Sequence, residues 1–168
     1  EQIRFCNSGT EATLHAIRLA RGFTNRPKIA KFDGGYHGSH DVVEISVTPS
    51  LDHAGPGSTP YSVATTGGIS VNAAEEVVVL PFDDEAAVEQ ILSQHRRELA
   101  CVIFEPRAGI LLQRINFIQT LYKITQSLDI LLIFDEVASF RVGVAGLQGL
   151  CNIKSDLTTF GKIIDGGF

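Results

Sequence analysis

Ile130-Leu131-Leu132-Ile133-Phe134-Asp135-Glu136 is an apolar run that stops abruptly at two carboxylates. A strand covered on both faces reads this way, as continuous apolar residues without alternation. Upstream, Ala100 to Phe104 repeats the pattern and ends in Glu105-Pro106, and Val77-Val78-Val79-Leu80 is a third such run. Between them, Asp83 to Arg97 carries Ala87, Val88, Ile91 and Leu92 at helical spacing, and Phe117 to Ser127 is helical too. Strands alternating with helices imply a mainly parallel sheet with right-handed crossovers. The expected fold is therefore α/β, three-layer, with helices on both faces of the sheet.

Working outward, Lys28 to Phe32 reads as another strand and Leu157 to Phe160 as a last one. Ile3 to Cys6 and Val43 to Val47 also have the composition of short strands. Ala12 to Arg21 has apolar residues at Ala12, Ala16, Ile17, Leu19 and Ala20, a helical spacing, and Ser8 with Glu11 has the spacing of a capping box. Thr48 to Glu75, rich in Gly, Pro, Ser and Thr, reads as a long irregular region, a length that in a compact domain marks a functional or mobile loop.

The chain has 168 residues, 44% hydrophobic and 20% charged, with a net charge of -5. That balance gives no electrostatic reason to expect nucleic acid or an anionic membrane as partner. No apolar run approaches the roughly 20 residues of a membrane span, and Glu1-Gln2-Ile3-Arg4 lacks the pattern of a signal peptide, so an intracellular, cytoplasmic protein is expected. Cys6, Cys101 and Cys151 lack metal-site spacing and read as reduced, packed thiols. His15, His37, His40, His53 and His95 form no zinc pattern, and no metal is expected. With no methionine, and with Ile3 starting like a strand already under way, the chain reads as a piece of a longer protein, cut at both ends.

Glu105 and Asp135 end two buried-looking strands, and ligands of open α/β sheets bind at the carboxyl ends of strands. Ser8-Gly9-Thr10 lies where a turn enters a helix, so free amides, hydroxyls and the helix dipole converge on one anion site. Asp33-Gly34-Gly35-Tyr36-His37-Gly38 sets an aromatic and an imidazole among glycines. Lys162 follows Phe160-Gly161 near the end of the chain. A phosphate anchor, a flat aromatic, an acid and an amine are the parts that pyridoxal phosphate needs: its aldehyde takes a lysine, and its ring nitrogen takes a carboxylate. Asp135 is the choice for that carboxylate, Glu105 supports the site from outside, Glu136 is structural, and His37 is a candidate for contact with cofactor or substrate.

These residues resemble the class III pyridoxal-phosphate-dependent aminotransferases of fold type I, most closely the glutamate-1-semialdehyde aminomutase branch. The resemblance rests on Asn7-Ser8-Gly9-Thr10-Glu11-Ala12, Ala16 to Arg21, Lys31-Phe32-Asp33-Gly34-Gly35-Tyr36-His37-Gly38, Glu105-Pro106 with Ala108-Gly109, Phe134-Asp135-Glu136-Val137, and Asp156-Leu157-Thr158 through Gly161-Lys162-Ile163-Ile164. It implies that Ser8, Gly9 and Thr10 hold the cofactor phosphate, Tyr36 stacks on one ring face and Val137 packs on the other. Asp135 would pair with the ring nitrogen, and Lys162 would bind the aldehyde as a Schiff base and shuttle a proton. It also implies a homodimer acting on small-molecule amino donors and acceptors, with residues 1–168 forming part of the large cofactor domain. The sequence departs from the family pattern where Ala138-Ser139 leads straight to Phe140-Arg141, and at Asp165 and Arg114-Ile115-Asn116.

Two other readings compete. A phosphate- or nucleotide-binding α/β module without covalent chemistry needs a glycine fingerprint that Asn7 to Glu11 does not supply. A non-catalytic truncated fragment is the other.

Overall fold

The computed structural model describes residues 2–106 and 114–165. The Ala108-Gly109 motif lies outside these residues. Strands β1 (Lys28–Phe32), β2 (Val77–Leu80), β3 (Leu99–Phe104), β4 (Leu131–Asp135) and β5 (Leu157–Thr159) form one sheet in the order β2-β1-β3-β4-β5. Every pairing is parallel. The helices are α1 (Gly9–Thr24), α2 (Val71–Glu75), α3 (Glu85–His95), α4 (Ile115–Leu128) and α5 (Gly146–Leu150). The expected α/β architecture is what forms.

Two cores flank the sheet, and each strand divides its side chains between them. On one face Ile29, Val77, Val79, Cys101, Ile103 and Ile133 pack with Ala16, Ile17 and Ala20 of α1. On the other, Ala30, Phe32, Leu80, Val102, Phe104, Leu132 and Phe134 pack with α3, α4 and Leu147 of α5. Phe32, Phe82, Phe104, Phe117 and Phe134 form an aromatic cluster there, with adjoining ring centroids 5.3 to 6.5 Å apart. The buried Lys31 points to the α1 face, where its Nζ donates to the Ile45 carbonyl at 2.5 Å.

Several expectations are corrected. Residues 2–6 form no strand and are exposed, and among the described residues no segment pairs with them in a ladder. Val43 to Val47 is not a strand: a 3-10 turn over Asp41–Val43 precedes Ser46 at φ 50, and only Ile45 makes an isolated bridge, to Ala64. The region from Thr48 to Glu75 ends in α2, capped by Ser70, whose hydroxyl accepts from the Asn72 amide. Leu19 lies on the outer side of α1, 58% exposed.

All three cysteines are free, but Cys6 is exposed, contrary to its expected packing. Cys101 and Cys151 are buried, and burial pushes their thiols up to about 12 and about 11, the latter helped by Glu136. Among the described residues no helix is long and apolar enough to cross a membrane, and no cluster of His, Cys, Asp or Glu could hold a metal ion.

Candidate active site

Alternation along the strands decides which side chains meet. Ile133 faces α1, so Asp135, two residues on, faces α1 as well; Leu157 likewise brings Thr159 to that side. Asp135 is 2% exposed. Its Oδ2 accepts from His37 Nδ1 at 2.8 Å, while Oδ1 accepts from the Thr159 hydroxyl at 2.9 Å and from the Val137 amide at 3.2 Å. A carboxylate offers about four acceptor positions, two on each oxygen. Among the described residues three are filled, and the fourth is on Oδ2.

His37 is buried, and its Nε2 has no hydrogen-bond partner among the described residues. The Thr13 hydroxyl lies 2.6 Å from the His37 carbonyl and 3.2 Å from His40 Nε2, so α1 fixes the backbone that aims the imidazole. Tyr36, by contrast, is 53% exposed, and its amide lies 3.5 Å from Glu105 Oε2. The Tyr-His pair is thus split: one ring faces outward and the other is packed against Asp135.

At the start of α1, the Ser8 hydroxyl accepts from the Glu11 amide at 3.1 Å and the Ser8 carbonyl from the Ala12 amide at 3.0 Å. Glu11 reaches back to the Asn7 amide at 2.7 Å, one residue before the one a capping box would use. The amides of Gly9 and Thr10 are left at the open end of a 16-residue helix, a position that favours an anion. Gly9 lies tight against Val137: a Cβ built on it would be 3.0 Å from Val137 Cγ1. One built on Gly161 would be 3.2 Å from the same atom. The anion turn, the residues after β4 and the residues after β5 therefore converge.

Lys162 opens a short 3-10 turn, Lys162–Asp165, with φ 51. It is exposed, whereas a lysine of its expected role was anticipated among apolar neighbours. It directly follows β5, which among the described residues pairs with β4. Glu136 is fully buried and structural, accepting from the Gln148 amide at 2.9 Å and from the Ser139 hydroxyl.

Two residues of this arrangement are missing from the sequence reading, Thr13 and Thr159. Thr159 was legible in principle, since in the strand Leu157-Thr158-Thr159 it alternates with Thr158 and so shares the face of Leu157.

A buried acid, a polar helix start and the residues leading into Lys162 meet at the carboxyl ends of the parallel strands, where α/β sheets of this kind bind their ligands. The chain belongs to the class-III aminotransferase family, whose model, Aminotransferase class-III, matches residues 1–168. It is 45% identical over 172 positions to glutamate-1-semialdehyde 2,1-aminomutase of Caldivirga maquilingensis, covering 100% of this chain and 38% of that protein. Among solved structures it is similar to an omega-transaminase from Sphaerobacter thermophilus, with TM-score 0.92 and 46% identity over 100% of this chain and 39% of that one. A transaminase with PLP bound has TM-score 0.84 and 36% identity over 100% of this chain and 38% of that one. The chain thus spans less than two fifths of the length of each.

Proposed function

We propose that the protein carrying this chain transfers an amino group, using pyridoxal phosphate bound covalently through Lys162. The observation that carries this reading is the Asp135 carboxylate: buried, held by three donors and left with one acceptor position, on Oδ2. A protonated ring nitrogen is a donor of the kind that position takes. The close approach of Gly9, Gly161 and Val137 fits a flat ring as well, because a side chain on either glycine would fill the space beside Val137.

When bound, the cofactor supplies an aldehyde for an amine and a ring that draws electrons from the substrate carbon. The amides of Gly9 and Thr10 and the hydroxyls of Ser8 and Thr10 would take the phosphate, helped by the helix dipole. Asp135 would accept the ring N–H and, by its charge, favour the proton staying there. Val137 would cover one ring face and Tyr36 the other. His37 would hold Asp135 through its Nδ1, and Glu105 would steady the Tyr36 backbone. Once the substrate amine had displaced it, the free Lys162 amine would take a proton from the substrate carbon as general base and deliver it to the cofactor carbon as general acid.

Small-molecule amino donors and acceptors are the expected substrates, and a homodimer the expected assembly. Similar identity to an aminomutase and to an omega-transaminase supports amino-group transfer as the shared chemistry. The test is cofactor retention after dialysis in Asp135→Asn. Losing a charge-assisted hydrogen bond should weaken retention at least about tenfold. Equal retention by a folded variant would contradict the reading.

A further inference from the structure

Thr159 joins the acid and the amine of this site through one residue. Its hydroxyl donates to Asp135 Oδ1 at 2.9 Å, and its carbonyl accepts from the Glu136 amide at 2.9 Å. It is 3% exposed, closes strand β5 in register with Asp135, and stands three residues before Lys162. Both polar ends of Thr159 are therefore committed to the segment bearing the carboxylate, while its own strand leads into the lysine turn.

We infer that Thr159 is a positioning residue, fixing the plane of the Asp135 carboxylate so that Oδ2 keeps its one open acceptor position toward the ring nitrogen. The inference rests on the proposed cofactor reading. The geometry of the donors carries it. With His37 on Oδ2 and the Val137 amide on Oδ1, the carboxylate could still rotate about its Cβ–Cγ bond, since the amide contact at 3.2 Å is long. The Thr159 hydroxyl at 2.9 Å supplies a second, shorter anchor on Oδ1, from the opposite strand. Valine at 159 keeps the β-branched shape and loses the hydroxyl, with its donor to Asp135.

The test compares Thr159→Val and Thr159→Ser with the unaltered protein, reading the pH midpoint of the bound-cofactor absorption band, cofactor retention and the melting temperature without cofactor. Thr159→Val should shift the midpoint by about half a unit or more and weaken retention about tenfold, while Thr159→Ser stays within about twofold of the unaltered protein. A purely structural role would lower the melting temperature and leave the band and its midpoint in place, which would overturn the inference. If Thr159→Val does not fold, Thr159→Ala is read by the same criteria. If the unaltered protein shows no cofactor band, the cofactor reading and this inference fall together. A normal band with a Thr159→Val midpoint unchanged overturns the inference alone.

Discussion

At Asp135, donors from three separate segments meet on one buried carboxylate, and that convergence sets the chemistry of the site. A second imidazole, His40, lies nearby, with its Nε2 3.2 Å from the Thr13 hydroxyl. Burial first and the neighbouring His37 second lower His40 from 6.5 to about 4, with a further small push from Arg21, against a pull upward from Asp41. Between those values the unfolded chain binds a proton that folded His40 refuses, so stability falls as pH drops from 6.5 through 4. Replacing His40 with Gln removes this contribution. The melting temperature of the unaltered protein relative to His40→Gln should therefore fall as pH is lowered from 7 to 4.5, by the direction just given. A gap constant across that range would refute it.

At the scale of elements, the loop from Asp33 to Gly38 is fitted to the start of α1. Gly38 sits at φ 101, and a Cβ there would lie 2.6 Å from Thr10 Oγ1 and 2.8 Å from its Cα. Gly38→Ala combines backbone strain with a clash against helix backbone, and should cost about 3 kcal/mol in urea unfolding. A loss under half of that would mean the turn can move aside without cost. The same scale shows what the sequence disclosed. Runs such as Ala100 to Phe104 and Ile130 to Phe134 were legible because both faces are buried. For that same reason they hid which face each residue takes, and with it the meeting of Asp135, His37 and Thr159. His37 and Asp135 are 98 residues apart in sequence, and no local pattern links them. Val43 to Val47 looked like a strand because Val43 and Ile45 are both buried and alternate, but the turn before it and the left-handed Ser46 interrupt any ladder.

Across the whole molecule, one face of the sheet is mainly structural and the other is divided between packing and chemistry. The aromatic cluster of Phe32, Phe82, Phe104, Phe117 and Phe134 fills the side of α3 and α4. Opposite it, α1 packs through Ala16, Ile17 and Ala20, and its N-terminus comes to Val137 beside the ends of β4 and β5. A rigid sheet therefore sets the spacing between the anion turn, Asp135 and Lys162, which are far apart in sequence. Lys162 carries the central claim. The most direct test is borohydride reduction of the protein in the presence of pyridoxal phosphate, followed by peptide mass mapping. The account predicts a single stoichiometric pyridoxyl group on the peptide containing Lys162, absent from Lys162→Ala. Labelling spread over other lysines, or unchanged in Lys162→Ala, would contradict it.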